Sequence, residues 1–350
     1  MPEHAINGSG EFRIEPLPPN CGAWEKTAAI SASATLYHEK RWLDLLSGAY
    51  GLNFSLAALR QHDEVIAGCL LARSRNPFAT RFVALPFSDY APPLAQDQMR
   101  ADELLNELMS YGVATGTAFE IRGAAGPAPW KTVECFQVWR LELSRSLGSL
   151  QGGLHANFRR RIRQARAAGV RVERGRGVDH LFRFYRLQLE TRRRLGVPPQ
   201  PLRFFELVRK LFARDDGFEI WLASHRGRDC AAEFILRTGD VIYGKWNARR
   251  LDAVPGANHL LLWSVVEEFA GRASVYDLGR TDIRNRGLAL FKREMGCTAS
   301  TIPYCYFPAT LGNVSAEVAG GPRKLAMIIW RHLPVAVTRV IGRVIYRYLS

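Results

Sequence analysis

The chain has 350 residues, 47% of them hydrophobic, and a formal net charge of +15. That length can bury more than one core, so two domains are expected. No run reaches the roughly 18 apolar residues of a membrane span, the first thirty residues lack the apolar core of a secretory signal, and the six cysteines show no zinc or disulfide spacing.

These exclusions lead to the expectation of a soluble, cytoplasmic protein with reduced thiols and no metal. The charge is uneven. Residues 1–150 hold 13 basic and 16 acidic side chains, residues 151–215 hold 17 and 5, residues 216–320 hold 12 of each, and residues 321–350 hold 6 and none. A field concentrated in one central segment and one tail points to anionic partners.

Residues 1–23 read as a loose polar start. Tyr37–Tyr50 has Leu43, Leu46 and Tyr50 at helical spacing and ends at Gly51. Strand-like runs follow at Phe54–Arg60, Val65–Ala72 and Arg81–Leu85, then a turn-rich loop at Phe87–Pro93. A helix is expected over Asp102–Thr115, and strands over Ala118–Arg122 and Cys135–Leu143. The second half repeats this order. Asn157–Ala168 (NFRRRIRQARAA) is a basic helix with Phe158, Ile162 and Ala165 on one face. Asp179–Arg194 and Pro201–Arg214 are helices. Phe218–Ser224, Cys230–Arg237 and Val241–Asn247 are strands. A loop at 249–257 leads into a helix, Asn258–Ala270. A strand at Ser274–Leu278, a helix at Leu288–Met295 and a strand at Thr301–Phe307 complete the half. Strand, loop, short helix and strand in mid-domain imply a mixed α/β sheet with a ligand at the strand ends.

Several groups of residues carry chemistry. Asp277, Arg280, Asp282, Arg284, Arg286 and Lys292 crowd one strand end. Asp277 suits either a base or a partner for Arg280; pairing depresses a carboxyl pKa, which favours the second role. Only five acids lie among the 17 bases of residues 151–215. Arg160 and Arg163 therefore read as phosphate contacts for a coenzyme, a nucleotide-linked glycan or an RNA backbone, with a solvated face as the alternative. The loop RRLDAVPGA supplies Arg249 and Arg250, a Pro-Gly turn at Gly256, and the helix N-terminus at Ala257 and Asn258, an arrangement suited to a phosphate. The tail after Pro334 places Val337, Val340, Ile341, Val344, Ile345 and Tyr348 on one stripe and Arg339, Arg343 and Arg347 on another. Such a helix suits a patch of its own fold or an anionic lipid surface.

Five motifs carry a family resemblance. The stretch YDLGRTDIRNRGLALFKREMG (Tyr276–Gly296) holds D-x-G-R-[ST] followed by F-K-x-x-x-G. Arg159–Ala165 gives R-x-x-I-R-x-A, Phe87–Pro93 reads FSDYAPP, and Tyr37-His38 with Trp42 completes Y-H-x-x-x-W. Together they resemble FemAB-type acyltransferases, double-domain relatives of the GNAT N-acyltransferases. The CelD-type, exopolysaccharide-associated branch is favoured. The resemblance covers roughly residues 35–310 and implies an α/β (α+β mixed sheet) fold of two tandem GNAT-like domains. Residues 1–150 would form the first, residues 151–310 the second with the active site, and residues 311–350 a basic amphipathic tail.

The resemblance further implies N-acyl transfer to an amine, with acyl-CoA as a co-substrate that is not permanently bound. It implies that Lys292, which stands where many GNAT enzymes have a tyrosine, acts with Asp277 and Arg280 in catalysis, and that Asp89, Tyr90 and Arg284 face the acceptor. His38 is expected to be structural. In the GNAT fold the 249–257 loop is the pyrophosphate loop. Its usual [QR]-x-x-G-x-[GA] is poorly matched here, and Arg284-x-x-Gly287-x-Ala289 matches only by letters, one strand later. Two alternatives stand beside acyl-CoA. Aminoacyl-tRNA as donor suits the basic segment, although the chain lacks the long charged coiled-coil insertion of several tRNA-using relatives. A non-catalytic binder of RNA or anionic polymer would use Phe158, Phe182, Phe184, Tyr185, Phe204, Phe205 and Phe212 for stacking, but their spacing is that of helical core. The tail leaves the inner membrane surface open as a location.

Overall fold

The computed structural model describes residues 11–18, 21–62, 64–74, 81–311 and 321–346. Contacts divide the described residues into two compact units, one within 11–135 and 302–311 and the other within 136–301 and 321–346.

Unit 1 begins with β1 (Glu11–Pro16) and α1 (Gly22–Ile30), where the sequence suggested a loose start. β1 pairs antiparallel along β2 (Phe54–Gln61) and packs Phe12 and Ile14 against the core. Two apolar residues in a polar hexapeptide give too short an alternation to stand out. α2 (Lys40–Tyr50), β3 (Glu64–Arg73), β4 (Phe82–Ala84), β5 (Leu94–Ala95), α3 (Gln98–Thr115) and β6 (Phe119–Arg122) follow. The sheet order is β1-β2-β3-β4-β6-β13, where β13 is Thr298–Phe307, and β5 lies on β3. β4 and β6 run parallel. A parallel pair needs a crossover, and α3 supplies it.

Unit 2 includes β7 (Lys131–Glu142) from Phe136 onward. Along the chain come α4 (Leu147–Gly153), α5 (Ala156–Ala167), β8 (Arg171–Gly175), α6 (Val178–Leu195), α7 (Leu202–Leu211), β9 (Phe218–His225), β10 (Arg228–Thr238), β11 (Val241–Arg249), α8 (Ala257–Phe269), β12 (Val275–Asp282) and α9 (Arg286–Glu294). After the shared β13, α10 (Gly321–His332) and α11 (Val335–Ile345) return to this unit. The sheet order is β8-β9-β10-β11-β12-β7. Alternation along β10 separates its two faces. Phe234 meets Phe184 of α6 and Phe205 of α7, at ring separations of 5.3 and 5.9 Å. Ala231 and Ile235 join the cluster formed with α5 and α8. α5 buries Phe158, Ile162 and Ala165, the face its spacing predicted.

Each unit therefore has three antiparallel pairs, then one parallel pair, then an antiparallel sixth strand. The sixth strands differ from the expected division of the chain at residue 150. Phe136–Glu142 of β7 pairs with β12 of unit 2, and Tyr304–Phe307 of β13 pairs with β6 of unit 1. Hydrophobic periodicity marks both strands without saying which sheet takes them.

A fragment of residues 151–350 lacks β7 and leaves β12 as an open edge. It is expected to be aggregated or to show no cooperative unfolding by circular dichroism, and a soluble, cooperatively folded fragment would show β7 to be dispensable.

Candidate active site

β12 is interrupted where the D-x-G-R motif lies. Its register against β7 shifts between Asp277 (opposite Arg140) and Arg280 (opposite Val138). Gly279 takes φ +71 there, a left-handed conformation that favours glycine. The bulge turns two carbonyls out of the ladder, and Lys292 reaches them from α9. Its Nζ donates to Leu278 O at 2.8 Å, Gly279 O at 2.9 Å and Thr281 Oγ1 at 2.9 Å. Lys292 is 5% exposed. The predicted catalytic cation is thus a buried clamp on the bulge.

Asp277 is 2% exposed. It accepts from Nε of Arg140, on β7, at 3.1 Å and from Gly279 N at 2.7 Å. Arg280, across the bulge, lies over the Phe136 ring at 4.5 Å. Arg284 is exposed and pairs with Asp282 of its own loop at 2.7 Å, a solvent-screened contact.

β11 and β12 run parallel over three residue pairs, ending at Tyr243 opposite Asp277. Beyond that point β11 continues to Arg249 and β12 to Asp282 without pairing to each other. β11 also bulges at Lys245, where its register on β10 shifts. At the parting lies a carboxylate that the sequence reading missed. Glu233 is 2% exposed. It accepts from Tyr276 Oη at 3.1 Å and from Asn247 Nδ2 at 2.7 Å. A Cβ at Gly244, just past the last parallel pair, would stand 2.6 Å from Glu233 Oε1. Burial raises the Glu233 pKa to about 7, against the opposing pull of its two donors and of Lys292. Burial and the neighbouring Glu233 likewise push the Tyr276 hydroxyl well up. One acid inside the apolar run CAAEFIL was the available signal.

Asn247 also donates to Asn258 Oδ1 at 2.9 Å, linking the parting to the start of α8. The α8 turn holds the expected phosphate loop, but its residues divide. Arg250 is committed to Asp252 and Glu190. Gly256, at φ +89, faces α5 so closely that a Cβ would overlap the Arg161 carbonyl. Ala257 N is bonded to Val254 O. The amides of Asn258 and His259 have no partner among the described residues, as expected for a helix N-terminus.

Arg249 lies beside Arg194, which the sequence reading did not single out. Neither forms an ion pair among the described residues. Burial first, then the Arg249 charge, hold the Arg194 guanidinium below its usual range. His259 is pushed down to about 4 by burial and by Arg161, with Arg249 adding to the effect. Arg161 and Arg249 thus bear on the start of α8, and Arg249 in turn on Arg194. Elsewhere the basic segment finds its acids on other elements: Arg166 with Glu267, Arg174 with Glu268, Arg176 with Glu219 and Arg183 with Asp229. Arg160 and Arg163 are exposed on α5.

The acceptor candidates of unit 1 serve its fold. Asp89 accepts from Tyr37 Oη at 2.9 Å, and Tyr90 is buried against the Tyr37 ring. Trp42 Nε1 donates to Ser88 Oγ at 2.9 Å. His38 accepts from Thr35 N through Nδ1, so Nε2 donates to Pro92 O at 3.1 Å; burial lowers its pKa to about 4. The Y-H-x-x-x-W and FSDYAPP motifs therefore lock to each other. The aromatics of the basic segment are core, apart from the exposed Phe182.

Lys292→Met leaves two bulge carbonyls without their ammonium. A loss of about 3 kcal/mol in urea unfolding is expected, so activity lost on Lys292→Ala reports folding as well as chemistry. Glu233 has its folded pKa above the ordinary 4.5. Native stability therefore falls as pH rises from about 4.5 to about 7 and stays lowered above that. Glu233→Gln is expected to melt about 5 °C above wild type at pH 8 and close to it at pH 4. Equal shifts at both pH values would remove the carboxyl titration from the account.

Residues 153–293 match the family model described as an acetyltransferase (GNAT) domain. Among curated proteins, none matches the chain. Among solved structures, FemX superposes with a TM-score of 0.65 at 14% identity, over 85% of this chain and 98% of that one. The C-terminal domain of a putative lysylphosphatidylglycerol synthetase from Agrobacterium fabrum gives 0.56 at 12% identity, over 84% and 96%. L-PGS from Bacillus licheniformis gives 0.54 at 12% identity, over 94% and 98%. These likenesses establish the fold, which is a mixed α/β fold of GNAT-like domains. The acetyltransferase (GNAT) match covers residues 153–293 of the chain and supports a transferase.

Proposed function

We propose that the chain transfers an acyl group from acyl-CoA to an amine on a cell-envelope or exopolysaccharide precursor, as in the CelD-type branch. The observation that carries the donor is the guanidinium pair Arg194 and Arg249, without an ion-pair partner among the described residues, with Arg249 near the free amides at the start of α8. Two like charges held together without a carboxylate favour a bound polyanion, and a helix N-terminus adds to that field. In this reading the donor phosphates sit there and the thioester runs into the parting of β11 and β12. The amine nitrogen attacks the thioester carbonyl. The tetrahedral intermediate collapses with cleavage of the carbon–sulfur bond, and the departing thiolate takes up a proton. The attacking nitrogen sheds one proton, and Glu233 is the carboxylate at the parting placed to receive it, being charged above about pH 7. The envelope acceptor is suggested by the likeness to the domain of a putative lysylphosphatidylglycerol synthetase, whose fold this chain shares.

A second reading, aminoacyl-tRNA as donor, is favoured by the exposed Arg160 and Arg163. A long nucleic-acid backbone extends beyond a compact phosphate site and would use them.

Calorimetry with acetyl-CoA and with charged tRNA, at two salt concentrations, tests both. Saturable acetyl-CoA binding is expected, weakened about tenfold or more by Arg194→Ala or Arg249→Ala. Binding to charged tRNA alone, steeply salt-dependent and reduced by Arg160→Ala with Arg163→Ala, would transfer the function to the second reading. Binding to neither would remove both donors.

A further inference from the structure

α11 has two different faces. Thr338 and Gly342 are buried, Gly342 lies against Pro199, and the helix packs on α6. The tail thus covers its own fold with Thr338 and Gly342, flanked by the partly buried Val335 and Ile341. Val337, Val340 and Val344, at helical spacing, share a second face, with Val340 62% and Val344 52% exposed. On α10, Ile328 and Ile329 are also more than half exposed. Arg347 and Tyr348 lie outside the described residues.

The charge carried by α10 and α11 themselves has one sign. Arg331, Arg339 and Arg343 are exposed, and residues 321–346 contain no aspartate or glutamate. An aliphatic stripe in water is unfavourable by about 25 cal/mol per Å², and a folded monomer rarely leaves one without a partner. A second copy of the chain would bring arginines against arginines in a two-fold contact, which opposes pairing. An anionic bilayer meets both demands: its acyl boundary takes the valines and its headgroup phosphates take the arginines. At 11 residues α11 is too short to span a bilayer, so it would lie in the surface plane.

We propose that the outward face of α11 is a docking surface for an anionic phospholipid bilayer. The contact holds the chain at the membrane while α11 stays packed on α6, and no part of the fold has to open. It goes beyond the acyl-transfer reading and does not depend on the donor.

Cosedimentation of the full chain with vesicles of equimolar phosphatidylglycerol and phosphatidylcholine, against vesicles of phosphatidylcholine alone, tests it. Binding to the anionic vesicles is expected, at least about tenfold tighter than to the neutral ones and weakened by salt. Val340→Glu with Val344→Glu replaces exposed side chains. It is expected to cut binding about tenfold or more with the melting temperature unchanged. Arg339→Glu with Arg343→Glu should abolish the anionic preference. Recovery in the supernatant with both vesicle types, or full binding by the valine variant, would overturn the proposal. So would a concentration-dependent dimer in sedimentation equilibrium that the valine variant abolishes, since that assigns the face to a second copy. The assay involves no acyl transfer, so its failure leaves the acyltransferase reading standing.

Discussion

The ammonium of Lys292 holds the bulge on which the site geometry rests. A buried ammonium with too few acceptors is unfavourable by several kcal/mol. Here it faces two bulge carbonyls and a hydroxyl, while those carbonyls, freed from the ladder, need a donor as much as the cation needs acceptors. Each group offsets the other's desolvation. The bulge keeps β12 from following β11 past Tyr243 and Asp277. The parting of the two strands thus coincides with bulges in both of them, the one in β12 held by Lys292 of α9, and the Glu233 carboxyl is buried where they separate.

The net charge of +15 divides in the same way between structure and function. Acids on β9, β10 and α8 neutralise much of the basic segment, so the deficit counted locally along the chain overstates the free charge. What is left is specific. Arg194 and Arg249 repel each other beside the α8 amides, and Arg160 and Arg163 face water. Exposed arginines add little to stability. Arg194, partly buried and held beside the charge of Arg249, opposes folding unless an anion arrives, which makes it the more informative position.

Local periodicity made most elements legible. Phe158, Ile162 and Ala165 gave the buried face of α5, and the repeated order of helix, meander and crossover gave the fold class. Short polar strands such as β1 and β8 stayed hidden because five or six residues with few apolar positions resemble loop. The site was legible as a neighbourhood and less so in its roles. Lys292, Asp277 and Arg280 do lie around one bulge. The motif letters, however, carry no record of the carbonyls that claim the lysine, nor of Arg140, 137 residues away, that claims the aspartate. Asp89 and Tyr90 read as polar and available, yet Tyr37 and Trp42 supply partners that turn their loop into a structural lock.

Arg140 also shows that the candidate site draws on sequence from before the expected boundary. It lies on β7, before the expected domain boundary, yet it pairs with Asp277 and fixes the register on one side of the bulge while Lys292 fixes the other. The same exchange gives β13, from the end of the second half, to the sheet of unit 1, where Tyr304 donates to Asp89 O at 2.6 Å. Each sheet is completed by a strand from beyond the apparent boundary. A bulge clamped from both sides needs both strands in register, so the sequence that builds the candidate site begins at β7 and not at the basic helix where the chemistry-like residues start.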